Sequence, residues 1–245
     1  MPTPHFLIIG TQKGGTSSLY QLLIQHPHIL PAARKEVHFF DQRFAQGPAW
    51  YQQQFPDCPP RYITGEASPF YLAHPLAAQR IHALLPAVKI IVLLRNPAER
   101  AYSHYKHMCR RQLETLSFAD ALAQEDTRTS ASWHALAAGE LLEHSNAQRF
   151  SYRKRGHYAE QLALYLQLFP RQQIGIWQSE RFFSDTLPVL KEIFTFLDIP
   201  ADFTPADMTI RKPGHYDRSE TPPLDALKTY YQPCNSALFN LIYQH

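Results

Sequence analysis

At 245 residues with 44% hydrophobic content, the chain is long enough to bury a substantial core and fits one large α/β domain, residues 1–245, better than two small ones. A formal net charge of only +3, with the Lys and Arg residues dispersed, excludes a nucleic-acid surface but suits a few placed cations facing a small anion. Three widely spaced cysteines, Cys58, Cys109 and Cys234, exclude a disulfide framework or zinc ribbon and point to a reducing cytoplasm.

Residues 5–10 form a short, continuously apolar run ending in Gly10, the pattern of a buried parallel strand. The run is too short to cross a bilayer and no basic-then-apolar leader precedes it, so neither an anchor nor an export signal is expected. Leu19, Leu22 and Leu23 then recur at helical spacing within residues 16–26, closed by Pro27. Residues 61–65 read as a second strand, 75–85 as a helix ended by Pro86, and 88–94 as the clearest buried strand.

A helix is expected from Pro97 to about Gln112, with Asn96 as its N-cap, which leaves Arg95 at the lip of a strand-to-helix turn. Residues 125–155 are polar and weakly periodic, and predict a loop-rich excursion with at most one short helix. Helical spacing returns over 158–169, a strand over 173–177 and an amphipathic helix over 187–197. Residues 224–243 form a closing helix interrupted near Pro233. Alternating strands and helices give an α/β fold: a central parallel sheet flanked by helices, with ligands at the carboxyl ends of the strands.

Residues 10–17, from Gly10 through Lys13, Gly14, Gly15, Thr16 and Ser17, join the first strand to its helix. Glycines there let backbone N–H groups close around a phosphate at the helix's positive end. Gly10 and Gly15 have the separation of a nucleoside-triphosphate loop, but Thr16 stands where its lysine belongs and the lysine sits inside the loop at position 13. The strand at 88–94 leads into Arg95 rather than a magnesium-binding acid. Arginine does not hold a metal but grips a phosphate by charge-assisted, often bidentate hydrogen bonds. The ligand implied has two separate anionic groups and needs no metal. His104 and His107 lie one helical turn apart without a third ligand, so no metal site is expected.

With these residues assembled, the chain resembles the sulfotransferases that use 3′-phosphoadenosine 5′-phosphosulfate (PAPS), in the branch of the heparan sulfate sulfotransferases and many bacterial relatives. The resemblance implies a P-loop-like sulfotransferase fold, PAPS as sulfuryl donor and adenosine 3′,5′-bisphosphate (PAP) as product. It covers four main segments and, more weakly, nearly the whole chain. Residues 6–19 resemble the loop for the 5′-phosphosulfate, which implies that Lys13, Gly14, Gly15, Thr16 and Ser17 surround that group. Residues 35–41 resemble the segment supplying a catalytic carboxylate, which places the general base at Glu36. Residues 65–72 resemble a segment lining the acceptor cleft, with Ala67 where heparan-modifying relatives carry lysine. Residues 94–105 are similar to the site for the ribose 3′-phosphate, with Arg95 and Ser103 as ligands. Residues 211–216 resemble a late loop over the nucleotide, which implies contacts from Lys212 and Gly214.

Sulfuryl transfer requires deprotonation of the attacking oxygen, a cation near the leaving phosphate and alignment of the two. Glu36, Lys13 and the phosphate sites supply these in turn. His38 is the competing base, since its ordinary pKa of about 6.5 suits proton transfer. On a strand-like stretch it shares a face with Glu36, where it would instead orient the carboxylate or the substrate. Phe39, Phe40, Phe70 and Tyr71 are expected in the core. The rival readings are a nucleotide kinase and a catalytically silent nucleotide-binding module. The acceptor is expected to be a small molecule, lipid or saccharide bearing a hydroxyl or amine, and residues 42–60 and 125–155 are where its cleft would be shaped.

Overall fold

In a computed structural model, which describes residues 3–209 and 222–244, the chain builds a five-stranded sheet, every pairing of which is parallel. In chain order come β1 (Phe6–Gly10), α1 (Thr16–Leu23), β2 (Ile29–Pro31), α2 (Gly47–Gln52), β3 (Ile63–Ala67), α3 (Ala77–Leu84), β4 (Lys89–Leu94) and α4 (Pro97–Arg110). They are followed by α5 (Phe118–Ala123), α6 (Glu125–Ala137), α7 (Asn146–Phe150), α8 (Tyr158–Leu166), β5 (Ile174–Gln178), α9 (Ser179–Ser184), α10 (Thr186–Phe196), α11 (Pro222–Tyr230) and α12 (Gln232–Gln244). The strand order β2-β3-β1-β4-β5 puts β1 at the centre, and the chain leaves β1 toward both edges. A crevice therefore opens at the carboxyl ends of β1, β3 and β4.

The two apolar runs form strands because both faces of the sheet are covered. Leu7 and Ile9 of β1, with Ile90 and Val92 of β4, join α3 and α8 in one core cluster. Phe6 and Ile8, with Ile91 and Leu93, join α1 and α10 in the other. Alternate residues thus enter opposite cores, and both sets must be apolar. Each such side chain contributes about 1.5–3 kcal/mol when fully buried, so β1 and β4 are the firmest elements from which to hang a site.

Several expectations shift. The strand expected at 61–65 is paired at Ile63–Ala67, and β2, three residues ending in Pro31, carries too little pattern to announce itself. The excursion at 125–155 is not loop-rich: α6 runs for 13 residues and α7 follows. Its inward positions Glu125, Thr129, Trp133 and Leu136 do recur at helical spacing, but two of the four are polar, which hides the stripe. The Glu125 carboxylate is buried because it accepts the Arg153 and Lys154 N–H groups at 2.6 and 2.8 Å. Asn96 caps α4 as expected, accepting from the Ala98 and Glu99 N–H groups at 3.0 and 3.2 Å.

Candidate active site

The loop between β1 and α1 is pinned from several sides. Thr11 N–H donates to the Leu93 carbonyl on β4 at 2.8 Å. The Ser179 hydroxyl at the start of α9 donates to the Gly14 carbonyl at 2.6 Å, and the buried Arg155 guanidinium donates to the Gln12 side chain at 2.5 Å. A Cβ on Gly14 would lie 2.9 Å from the Leu93 carbonyl, and Gly15 takes φ +99° with Phe183 2.8 Å from where a Cβ would be. Both positions therefore require glycine. Lys13 is itself left-handed at φ 71°, a strained setting for a side chain that persists only where the surroundings hold it.

This loop opens on a cavity of about 710 Å³. Lys13, Gly15, Thr16, Ser17, Glu36, His38, Arg95 and Ser103 all line it, so residues separated by up to 90 positions converge. Gly14 does not line it; it serves behind the loop, where the chain passes close to β4. Lys212 and Gly214 lie outside the described residues.

Arg95 leaves the end of β4 and donates to the Lys13 carbonyl at 3.2 Å, with Glu99 3.9 Å away. The following helix presents Ser103, His107 and Arg110 to the same cavity, joined by Arg111 at its C-cap. Burial first, then the charges of Arg110 and Arg95, bring Lys13 down to about 8. Burial, with Lys13, Arg110 and Arg111, holds His107 down at about 4, so its ring is neutral at pH 7. The two arginines belong to no recognised motif, yet 103, 107 and 110/111 form one stripe of an amphipathic helix starting at Asn96.

On the opposite wall Glu36 meets two cations. Lys35 Nζ bonds both the Glu36 carboxylate and, at 2.6 Å, the Ser17 hydroxyl. His38 Nε2 lies 3.2 Å from Glu36 and its Nδ1 2.8 Å from the buried Asp41. Burial pushes Glu36 up, but His38 and Lys35 outweigh it and bring the carboxyl down to about 2. Burial opposes the charge on His38 too, yet Asp41 and Glu36 raise it to about 10, so at neutral pH this ring is a cation between two carboxylates. The stretch is not the expected strand: His38 is left-handed at φ 55°. That turn, rather than alternation, brings the two side chains together.

Of the segment 65–72, only Pro69 lines the cavity; Phe70 and Tyr71 are buried as expected, with Phe39 and Phe40, and Glu66 and Ser68 lie behind the wall. Around Glu36 the remaining wall carries Arg34, Gln42 and Arg43, with His144, Gln148 and Arg149 from the α6–α7 region. Gln42 donates to Gln148 at 3.1 Å and Arg43 pairs with Glu143 at 3.4 Å, tying that region to the Glu36 loop. Among the described residues no cluster of three His, Cys, Asp or Glu side chains is placed to hold a metal ion, and no helix is long and apolar enough to cross a membrane.

A family model described as "Sulfotransferase domain" matches residues 3–213. Among curated proteins, human heparan sulfate glucosamine 3-O-sulfotransferase 6 is 32% identical over 201 residues, covering 80% of this chain and 52% of that protein. The mouse 3-O-sulfotransferase 5 is 29% identical over 199 residues, covering 80% and 54%. The chain thus spans about half the length of these relatives. The crystal structure of a sulfotransferase from Alicyclobacillus acidocaldarius superposes with a TM-score of 0.82 at 32% identity, covering 99% of this chain and 97% of that one. Mouse sulfotransferase SULT7A1 complexed with PAP, at 13% identity, TM-score 0.53 and 99% and 88% coverage, shares the fold.

Proposed function

The chain belongs to the sulfotransferase family, and from that premise we propose that it moves a sulfuryl group from PAPS to an acceptor hydroxyl or amine, with Glu36 as general base. The observation that carries this is one cavity with protein cations, Lys13 and Arg95, at one wall and an ionised carboxylate, Glu36, at another. The residues fit a bisphosphorylated nucleoside sulfate: glycine-only backbone at 14 and 15, helix N-terminus at Thr16, and cations crowded enough to depress Lys13. When bound, the donor supplies the activated sulfuryl group. A nucleotide kinase is displaced by the family match.

Lys13 and the first-turn amides of α1 hold the sulfated end and offset negative charge as it builds on the leaving phosphate. Arg95 and Ser103 hold the ribose 3′-phosphate. Glu36 accepts the proton of the attacking hydroxyl or amine. A carboxylate near pKa 2 is ionised across the physiological range but weakly basic, so the proton moves as the acceptor atom acidifies on bonding to sulfur. His38, already protonated, orients Glu36 rather than competing with it. Arg34, Arg43 and Arg149 beside this end favour an acceptor with negative charge of its own. Acceptor classes under this reading are small molecules, lipids and saccharides. Ala67 replaces the lysine of heparan-modifying relatives and argues against that polysaccharide. The free thiols of Cys58, Cys109 and Cys234 suit a reducing cytoplasm.

Labelled PAPS incubated across these acceptor classes tests the reading, with Glu36→Gln as control. Turnover should fall by about 10²–10⁴ in the variant while PAP affinity stays within threefold. Full activity in Glu36→Gln removes it as base. Tight PAP binding by wild type without transfer to any acceptor would favour a silent nucleotide-binding module.

A further inference from the structure

Glu66, at the end of β3, is fully buried, and among the described residues no cation bonds to its carboxylate. It has four partners instead. Oε2 accepts from the Val37 N–H at 3.0 Å and the Ser68 hydroxyl at 2.6 Å. Oε1 accepts from the Tyr71 hydroxyl at 2.8 Å and the Tyr51 hydroxyl at 3.1 Å. Two of those hydroxyls pass the connection on. Ser68 Oγ accepts the His38 N–H at 3.0 Å, and the Tyr71 hydroxyl accepts the Phe39 N–H at 2.8 Å and, more weakly, the Phe40 N–H at 3.4 Å. Four successive backbone donors, 37 through 40, are therefore satisfied by side chains of one short segment.

Donor and acceptor counting fixes the charge. A hydroxyl that must accept from the loop has to give its own proton elsewhere, and here every proton points at Glu66. Only an ionised carboxylate offers four acceptor sites and no donor. A carboxylic acid or an amide brings a proton into a shell already made of donors and leaves a loop group unpaired.

We propose that Glu66, acting through Ser68 and Tyr71, is a positioning residue that clamps the 36–41 loop so that Glu36 faces the cavity at a fixed distance from Lys13. The proposal rests on Glu36 being the base. The ladder places the clamp beside the donor loop, since Ile8 of β1 pairs with Ala67. Facing Glu66 are Tyr51 from α2, Tyr71 beyond β3, Tyr20 from α1 and the charged ring of His38. Burial, against the hydrogen bonds of Ser68, Tyr71 and Val37, pushes its carboxyl up to about 7, so protonation below that point releases the loop.

Backbone amide hydrogen exchange on the full chain, measured beside PAP affinity and PAPS-dependent turnover, tests the clamp in Glu66→Gln, Ser68→Ala and Tyr71→Phe. Amides 37–40 should exchange at least tenfold faster in each variant while amides 11–18 keep their protection. Turnover should fall about 10²-fold, the scale of a loop misplaced by an ångström, with PAP affinity within threefold. Ser68→Thr, which keeps the hydroxyl, should restore both. Wild-type turnover should rise through pH 7, and that limb should vanish in Glu66→Gln. Ser68→Ala, which removes one small hydroxyl, carries the test if the Glu66 variant does not fold. Unchanged exchange at 37–40, or parallel loss of turnover and PAP affinity, overturns the clamp. Loosened amides beside a fully active Glu36→Gln would support the clamp and overturn the base assignment instead.

Discussion

Lys13 is held where a lysine is uncomfortable: left-handed, largely buried and within the field of two arginines. Its lowered value of about 8 has a direct consequence for binding. Below pH 8 the ammonium is present to meet an anion; above it the charge is lost. If only the charged form binds, affinity for PAP should weaken about tenfold between pH 7 and pH 9, measured by titration calorimetry. Lys13→Arg should flatten that dependence, because a guanidinium stays charged. An affinity level from pH 7 to 9 in the wild type would contradict this. At this scale the sequence is informative where backbone geometry demands one residue type, as at Gly14 and Gly15. It is silent on contacts made through folding, such as Lys35 reaching both Ser17 and Glu36.

At the scale of elements, the unit of β4, Arg95, Asn96 and α4 does the most positioning. The Asn96 side chain satisfies two first-turn N–H groups, and the helix it starts presents Ser103, His107 and Arg110 in a row, with Arg111 at its C-cap. Asn96→Ala should cost about 0.5–2 kcal/mol, a drop in Tm of a few degrees visible by calorimetry, and should weaken PAP binding with it. Unchanged Tm and affinity would mean that α4 is held by packing alone. β1, β4 and the start of α4 are legible because a continuous apolar run between turn signals suits a buried strand, and an asparagine followed by proline suits a helix start. α6 is not, because Glu125 and Thr129 occupy core positions by virtue of partners, not of hydrophobicity. β2 is not, because its place is set by pairing with β3.

At the scale of the whole molecule, histidines held neutral outnumber carboxyls held protonated among the described residues. Burial holds His74 and His107 down at about 4 and His104 well below its ordinary 6.5, and lowers His5 and His26 as well. Each takes its proton at lower pH in the folded chain than in the unfolded one, so the stability they contribute is complete above pH 6.5 and is lost as pH falls through their lowered values, about 4 for His74 and His107. Glu66, raised from 4.5 to about 7, and Glu125, also raised by burial, have the opposite sign: over that window the folded state keeps protons the unfolded chain sheds. His38, raised to about 10, is charged in both states below pH 6 and adds no slope there. Among the described residues the lowered histidines, joined toward the acid end by the lowered carboxyls of Glu36 and Glu114, predict a Tm that declines as pH drops from 6 to 4.5 in scanning calorimetry, more steeply in Glu66→Gln. A Tm that holds or rises across that interval would overturn the balance. The parallel sheet could be read in advance, since it follows from local pattern, but fewer than half of the residues lining the cavity carry a sequence signal; Arg34, Arg43, Arg110, Arg111 and Arg149 reach it only through packing.

Phe70, Trp133, Leu136 and Ala147 form a small core apart from the clusters on the two faces of the sheet. The α6–α7 excursion, which brings His144, Gln148 and Arg149 to the cavity, thus stands on its own hydrophobic footing. Changes on that footing should therefore reshape the wall carrying His144, Gln148 and Arg149 while leaving the packing around β1 and β4 intact.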